Sequence, residues 1–251
     1  MNVALYGPRH AGWAFTEHGE RAVVREPDDL AIGSSAMHWV GNALAVDFDE
    51  RTAPFGARLT GQVLLYPEES GDGRPVHLDA AGKHRWWPVA PLARAEVELS
   101  HPSLRFHGAA YLDANGGDAP LEEDFTGWHW SRMASRRGAT VTYGVERRDG
   151  SSMLFARAFD RGGRVRSSDE VTGKPLAKTR WGLQRTVHAG PGAEPELVRT
   201  LEDTPFYARS LVNATDRGER ATGTHETLSL DRFRTRWVQF MLPYRMRQGI
   251  R

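Results

Sequence analysis

The stretch "ATVTYGVERRDGSSMLFARAF", residues 139–159, indicates the fold class of this 251-residue chain. In "ATVTYGVE" (139–146) and "SSMLFARAF" (151–159), apolar and polar residues alternate with a period of two, and the cluster "ERRDGSS" lies where they meet. Such alternation is typical of strands with one buried face, whereas a helix repeats near every 3.6 residues. The stretch therefore predicts two short strands separated by a turn.

The same alternation recurs along most of the chain. It appears in "ALAVDFDE" (43–50), "ARAEVELS" (93–100), "PFYARSLV" (205–212) and "GTHETLSL" (223–230), with turn clusters such as "SGDGRP" and "DRGGR" elsewhere. Many short strands with scattered Gly and Pro predict an all-β sandwich or barrel. The one helical candidate is "SLDRFRTRWVQFML" (229–242), which Ser229 would cap at its N-terminus.

The composition excludes several classes of protein. Hydrophobic residues make up 39% and charged residues 26%, which is ordinary for a globular chain, and the net charge of +1 gives no pull toward nucleic acid. The absence of cysteine excludes disulfides and cysteine nucleophiles, and fits a reducing cytoplasm. No apolar run reaches the roughly 18 residues of a membrane span. The ten histidines show no H-x-H or HExxH spacing, so a metal site is not expected. A GxSxG nucleophile elbow and a GxxxxGK[ST] phosphate-binding loop are also absent.

A boundary between two units is expected near "ANGGDAP" (114–120), where Gly, Asp and Pro accumulate. We therefore predict an N-terminal β unit at 1–118 and a C-terminal β unit at 119–251. Small-molecule sites tend to lie where domains meet or inside a β unit. We therefore expect a cavity either between the two β units or inside one of them.

The stretch "GKHRWWPVA" (82–90) places a histidine, an arginine and two tryptophans side by side. In an extended segment, His84 and Trp86 share one face, while Arg85 and Trp87 share the other. Large aromatic residues among charges raise the question of which ring is buried. Both tryptophans could be plain core or hairpin residues.

A second pair with the same spacing lies in "YLDANGGD" (111–118), where Tyr111 and Asp113 share a face. If both segments line one cavity, it holds an acid, an imidazole, a phenol and an indole, which suffice for proton chemistry without a metal or cofactor. The structural alternative is that Asp113 begins an Asx-turn at "DANGG".

A third dense segment is "PLEEDFTGWHWSR" (120–132). It supplies a weaker set of candidate substrate-binding residues: Asp124, Trp128, His129 and Trp130. Trp128 and Trp130 share a face if the segment is extended. The alternative is a packed strand in which Arg132 pairs with a carboxylate.

Taken together, "NVALYGP", "HRWWP", "YLDANGGDAPLEEDFTGWHWSR", "RTLEDTPFYARS" and "HETLSLDRF…MLPYRM" resemble the carotenoid 1,2-hydratases, or hydroxyneurosporene synthases, of purple phototrophic bacteria. The resemblance runs in order from Asn2 to about Met246. It implies two lipocalin-like β units with a lipid-accepting cavity. It also implies cofactor-independent addition of water to the terminal C1–C2 double bond of acyclic carotenoids such as neurosporene and lycopene. Family members usually begin upstream of "NVALYGP", so we expect this chain to lack the first strand of its N-terminal unit.

The family's functional residues, a His and a Trp two apart and then a Tyr and an Asp two apart, fall on His84, Trp86, Tyr111 and Asp113. Hydration of an alkene needs a proton at C2, a tertiary cation at C1 and then water. We assign Asp113 as the acid, whose pKa must rise by about 3 units from its ordinary ~3.9, as burial can achieve. Trp86 would stabilise the cation, His84 would take a proton from water, and Tyr111 would hydrogen-bond to Asp113. Trp87 would pack the fold.

Two other functions stay open at this point: a non-catalytic lipocalin-like carrier of carotenoid or another lipid, and a cofactor-free cyclase. A carrier has no use for a buried acid. Because the implied substrate dissolves in bilayers, we expect a cytoplasmic protein that visits the inner or photosynthetic membrane reversibly. The arginines of the tail "PYRMRQGIR", Arg245, Arg247 and Arg251, are candidates for contact with anionic lipid.

Overall fold

A computed structural model describes residues 1–69, 73–168, 170–242 and 246–248, and most of them lie in strands. The strands are β1 (Asn2–Tyr6), β2 (Ala11–Glu17), β3 (Val23–Arg25), β4 (Asp29–Ile32), β5 (Ser35–Val40), β6 (Ala43–Arg51), β7 (Arg58–Glu69), β8 (Val76–His77), β9 (His84–His101), β10 (Leu104–Gly117), β11 (Phe125–Ser135), β12 (Gly138–Arg147), β13 (Ser152–Asp160), β14 (Val165–Ser168), β15 (Thr172–Leu176), β16 (Arg185–Ala189), β17 (Glu196–Asp203), β18 (Tyr207–Asp216), β19 (Glu219–Ser229) and β20 (Met246–Gln248). The predicted all-β class is confirmed.

The helices are short: α1 (Leu121–Asp124), α2 (Leu230–Phe233), α3 (Arg236–Met241) and a 3₁₀ turn at Glu20–Ala22. The helical prediction for 229–242 is confirmed as two pieces. Ser229 caps α2, because its side chain accepts a hydrogen bond from the Arg232 backbone N–H. No helix within the described residues is long and apolar enough to cross a bilayer.

The chain forms two compact units. Unit 1 contains Met1–Glu68, Ala93–Tyr111 and Gln239–Arg251, and unit 2 contains Glu69–Leu92 and Leu112–Val238. Each unit is discontinuous because the long strands β9 and β10 each contribute residues to both. The division into 1–118 and 119–251 remains a prediction about domains, and these compact units cut the chain at other points.

Unit 1 contains a sheet in the order β10-β9-β7-β6-β5-β4-β3 and a smaller sheet β1-β2-β20. Phe48, Leu59 and Leu99 form its buried core. A buried carboxylate, Glu50, accepts hydrogen bonds from the hydroxyls of Thr16 and Ser35. Buried charges of this kind need such partners, so this cluster is structural.

Unit 2 contains a seven-stranded antiparallel sheet in the order β14-β13-β12-β11-β19-β18-β17. The β15–β16 hairpin covers one face, where Val187 packs against Met133 and Val212. Trp86, near the start of β9, packs against Tyr143 and Phe155 on the opposite face. Unit 2 is therefore a layered β structure with two buried faces.

The candidate membrane-binding tail lies largely beyond what the structure describes. Arg245 and Arg251 are outside the described residues, and Arg247 is described only as part of the backbone of β20. Their proposed role stays a prediction.

Candidate active site

The start of β9 is held in register by Asp79. Its carboxylate accepts hydrogen bonds from the backbone N–H groups of Lys83 (3.1 Å) and His84 (2.7 Å). Burial would raise the pKa of Asp79, but these N–H donors outweigh burial and its pKa is lowered. Gly82, at φ +69°, makes the tight turn just before the strand. Because these contacts fix the residue at which β9 begins, they also fix which side chains of β9 lie on each face of the strand.

That alternation buries the predicted pair. His84 is 1% exposed and Trp86 is fully buried, whereas Trp87 on the other face is 42% exposed. The shared face of His84 and Trp86 is confirmed. The expectation that Trp87 packs the fold is wrong, because the opposite face of β9 is partly open to solvent at this point.

Trp86 and Asp113 are joined directly. The indole Nε1–H of Trp86 donates a hydrogen bond of 2.7 Å to Oδ2 of Asp113, which lies 27 residues away on β10. The Asp113 carboxyl is half-buried, and this bond fixes one of its oxygens. When the carboxyl group is protonated, its proton would be on the other oxygen, Oδ1.

Aromatic rings surround Trp86. Tyr143 packs edge-on at 5.9 Å between ring centroids, Phe155 lies at 5.7 Å, and Trp128 extends the cluster to 6.5 Å from Tyr143. Burial, and after it the nearby carboxylates of Asp113 and Glu226, raises the pKa of the Tyr143 phenol above its ordinary value. The phenol is therefore neutral at physiological pH and can donate a hydrogen bond.

His84 and Asp124 form a second pair. Nε2 of His84 lies 2.9 Å from Oδ2 of Asp124, and the Lys83 ammonium donates to the same carboxylate at 3.2 Å. The hydrogen bond from His84, and then that from Lys83, lowers the pKa of Asp124. Asp124 is thus a carboxylate that accepts a hydrogen bond from Nε2–H. The ring of Phe125 packs edge-on against the imidazole at 4.9 Å and fixes its plane.

A cavity of about 250 Å³ lies beside these groups in unit 2. Its walls include His84, Gly117, Trp128 and Tyr143. Trp86 and Asp113 are absent from its lining, and Tyr143 is the residue that both lines the cavity and contacts Trp86. The volume suits one end of a long apolar molecule rather than the whole of it.

The structure brings some of the predicted residues together and separates others. Trp128 and Trp130 share the aromatic face of the sheet, as predicted, since strand alternation places both opposite to His129. Tyr111 is half-buried on β10 at the end of unit 1, and its hydrogen bond to Asp113 remains a prediction. Arg132 donates to the backbone carbonyl of Pro91.

His129 belongs to a different cluster on the hairpin-covered face. Its ring stacks on His225 at 5.9 Å and meets His188 edge-on at 6.0 Å. Burial, and then the charge of His188, lowers the pKa of His129 to about 4, and burial alone lowers that of His188 to about 4. Burial and the two neighbouring imidazoles lower the pKa of His225 to about 3. These three rings are neutral near pH 7.

Sequence reasoning did not single out Tyr143, Phe155 or Gly117. The alternation of β12 and β13 marks Tyr143 and Phe155 as residues of one face, but it does not show that this face meets Trp86. Within the described residues, no group of three His, Asp or Glu side chains could hold a metal ion.

Truncating the two neighbouring tryptophans should have very different effects. Trp86→Ala removes a fully buried ring and should destabilise the protein by about 3–5 kcal/mol, whereas Trp87→Ala at a half-exposed position should cost less than about 1 kcal/mol. Urea unfolding of both variants beside the parent measures this difference. Equal losses of stability would show that the assignment of the two faces is mistaken.

Comparison with known proteins decides the family. The sequence model described as "Carotenoid hydratase CrtC" matches residues 1–250. The chain belongs to this family. Members with the name acyclic carotenoid 1,2-hydratase include proteins from Thiocapsa roseopersicina (43% identity), Rubrivivax gelatinosus (41%) and Cereibacter sphaeroides (38%), each matched over 98% of this chain. The chain spans 61% of the length of the first two relatives and 88% of the third.

The fold is also found among solved structures. The crystal structure of CghA with Sch210972 aligns with a TM-score of 0.51 at 13% identity, covering 91% of this chain and 74% of that chain. At this identity the likeness concerns the fold alone. It supports the description of this chain as a predominantly β protein.

Proposed function

We propose that this chain adds water across the terminal C1–C2 double bond of acyclic carotenoids such as neurosporene and lycopene, giving 1-hydroxy carotenoids without a cofactor. The observation that carries the proposal is the hydrogen bond of 2.7 Å from the buried Trp86 indole to Asp113. It holds a carboxyl group beside an aromatic cluster, two members of which, Tyr143 and Trp128, line an apolar-walled cavity. The names of the relatives point to the same reaction.

In the proposed first step, Asp113 gives the proton on Oδ1 to C2 of the substrate. Oδ2 stays bound to the Trp86 N–H, so the carboxylate that remains keeps a hydrogen-bond partner. The positive charge then develops at C1, a tertiary centre. Tyr111 keeps its predicted role as a hydrogen-bonding partner of Asp113.

The aromatic cluster would stabilise this cation. A cation over an aromatic face gains about 0.5–2 kcal/mol, and desolvation increases the gain. Trp86 keeps its predicted role of stabilising the cation, and Tyr143 and Trp128 contribute further rings from the cavity wall. His84, in the same wall, would accept a proton from the water that attacks C1.

Chromatography and mass spectrometry of lycopene or neurosporene after incubation with the protein test this function. A product heavier by one water is the expected result. An isomer of unchanged mass would indicate a cyclase instead, and recovery of bound but unchanged carotenoid would indicate a carrier. Either of those results would overturn the proposal.

The protein should also bind membranes reversibly from the cytoplasm, because its proposed substrate resides in the bilayer. Leu121, at the cavity wall, is 37% exposed and offers an apolar contact, and the tail contributes three arginines. Flotation with anionic liposomes should show binding that salt weakens. Replacing Arg245, Arg247 and Arg251 by Gln should reduce it. Failure of the parent to bind at low salt would contradict this proposal.

A further inference from the structure

Two tryptophan side chains of unit 2 stack on each other at the protein surface. Trp181 lies in the loop that joins β15 to β16, and Trp237 lies in α3. Their ring centroids are 5.9 Å apart, the ring planes are inclined by 29°, and each residue is 48% exposed. Single exposed apolar residues are common on proteins, whereas two large aromatic rings in contact indicate a surface that meets a partner.

Hydrogen bonds hold the loop that carries Trp181. The hydroxyl of Thr179 accepts from the backbone N–H of Leu183, and the Thr179 N–H donates to the Leu183 carbonyl. From α2, the guanidinium of Arg232 donates to the carbonyl oxygens of Trp181 at 2.6 Å and Gly182 at 3.2 Å. The backbone beneath the exposed ring is therefore fixed before any partner binds, which reduces the entropy lost on binding.

Basic residues lie close to both rings in sequence. The segments 177–184 and 232–238 contain no carboxylate, and the backbone N–H of Arg180 occupies Oδ2 of nearby Asp203. Four exposed cations of these segments form no ion pair in the described part of the chain: Lys178, Arg180, Arg234 and Arg236. Together with Trp181 and Trp237, these four residues are called the tryptophan surface below. It combines apolar rings with positive charge.

The tryptophan surface and the cavity lie at the same end of the unit 2 sheet. Ser229, the last residue of β19, pairs with Gly127 near the start of β11, and α2 and α3 follow β19 directly. The cavity takes Phe125 and Trp128 of its wall from that same end of β11. The two features therefore share one end of one sheet.

Arg148 links the helices at this end. Its Nε–H donates to the carbonyl oxygen of Glu122 in α1 at 2.6 Å, and its Nη1 lies 2.8 Å from Oδ1 of Asp231 in α2. Leu121 of α1 lines the cavity, while α2 holds the Trp181 loop through Arg232. A partner that contacts the tryptophan surface is thus held beside the end of unit 2 that contains the cavity.

We propose that the tryptophan surface docks unit 2 on an anionic lipid bilayer, with the cavity end of its sheet at the membrane, so that one end of the carotenoid enters the cavity from the bilayer. Tryptophan rings concentrate at the membrane–water interface, and basic residues are attracted to anionic headgroups. The inference rests on the proposed function, since a substrate dissolved in the bilayer gives this orientation its use. It assigns the contact to residues outside the arginine-rich tail.

A second copy of the chain suits this surface poorly. A two-fold contact would set the four cations of one copy against the same four cations of the other. Like charges that face each other across an interface oppose association, whereas an anionic bilayer supplies the complementary charge. The charge of the tryptophan surface therefore favours the bilayer.

Flotation with vesicles tests the docking without any carotenoid. With vesicles of phosphatidylcholine and phosphatidylglycerol, the double variant Trp181→Ala/Trp237→Ala should bind at least about tenfold more weakly than the parent. Trp39→Ala, at a half-exposed tryptophan of unit 1, should match the parent. Equal binding of the double variant and the parent would overturn the inference, as would a parent dimer in size-exclusion chromatography that the double variant abolishes.

A second pair of variants tests the charge. Arg234→Gln/Arg236→Gln should weaken binding to the same vesicles by roughly tenfold or more, and should matter little with phosphatidylcholine alone. The matched control is Arg164→Gln/Arg166→Gln, which removes the same charge near the opposite end of the sheet, where β13 meets β14. Equal weakening by both pairs would mean a diffuse attraction of the whole protein and would refute the proposed surface.

Hydration in two substrate formats separates docking from chemistry. For lycopene embedded in the anionic vesicles, Trp181→Ala/Trp237→Ala should react at least about tenfold more slowly than the parent. For lycopene in detergent micelles, the two proteins should react at the same rate. A loss in both formats would indicate structural damage and overturn the docking role. If the parent hydrates lycopene in neither format, the proposed function fails, whereas flotation still decides whether this surface binds bilayers.

Discussion

Asp113→Asn should reduce hydration by about 10²–10⁴-fold or more while carotenoid binding survives. General acid catalysis is typically worth that much, and protonation of an unactivated alkene should lie at the upper end. The amide oxygen of Asn can still accept the hydrogen bond from the Trp86 indole, so the buried cluster keeps its geometry. What the variant loses is the proton that is given to carbon. Initial rates of product formation, with binding followed by tryptophan quenching, measure both effects.

Two comparisons make this result interpretable. Asp118→Asn, at an exposed carboxylate of the same segment, should keep parental activity. Trp86→Phe keeps an aromatic face but loses the N–H donor to Asp113, so its activity should fall less than that of Asp113→Asn. A folded, carotenoid-binding Asp113→Asn protein that hydrates at near the parental rate would refute the assignment of the acid. His129 would not be its replacement, because it lies on the other face of the sheet.

The second large effect concerns acid stability. His129, His188 and His225 have pKa values of about 4, 4 and 3 in the folded protein, below the ~6.5 of an exposed histidine. Between about pH 4 and pH 6.5, these histidines bind more protons in the unfolded chain than in the folded one. Stability is therefore fully present above about pH 6.5 and falls as the pH drops toward 4. Each ring contributes a loss of up to about 1.4 kcal/mol per pH unit, and the three together up to about 4 kcal/mol per pH unit.

Urea unfolding at a series of pH values between 7 and 4.5 measures this slope. His188→Gln should make the slope shallower by up to about 1.4 kcal/mol per pH unit, because one titrating ring is gone. The substitution breaks no hydrogen bond of Nδ1, since this atom has no partner within the described residues. His77→Gln, at an exposed position of the same unit, should leave it unchanged. Arg185 also faces His225 and opposes its protonation. A free energy of unfolding that stays constant across this pH range would contradict the prediction that the three buried histidines destabilise the folded protein in acid.

The local features of this fold follow from its sequence. Alternation in "ATVTYGVE" and "SSMLFARAF" predicts strands that the structure contains as β12 and β13. Alternation in "HRWW" also predicts that His84 and Trp86 share a face, since a period of two is a property of any extended chain. The Ser229 cap predicts the start of the helical segment. Each of these depends on neighbours within a few residues.

Features that depend on distant pairing could not be predicted in this way. The partner of His84 is Asp124, 40 residues away, and the partners of Trp86 include Tyr143 and Phe155 from two later strands. Likewise, the pairing of β11 with β19 brings His129 onto His225, whereas alternation along β11 shows only that His129 lies on the face opposite to Trp128 and Trp130. Which face of a strand is covered depends on the packing of other elements. Alternation in the sequence therefore could not show that the face of β9 that carries Trp87 is partly open to solvent.

The most direct test of the proposed hydration is incubation of lycopene or neurosporene with the protein in D₂O enriched in oxygen-18, followed by mass spectrometry and NMR of the product. The account predicts one deuterium at C2 and one oxygen-18 at C1 in a 1-hydroxy carotenoid, with both labels lost in Asp113→Asn. A carotenoid recovered with neither label from the parent protein would contradict it.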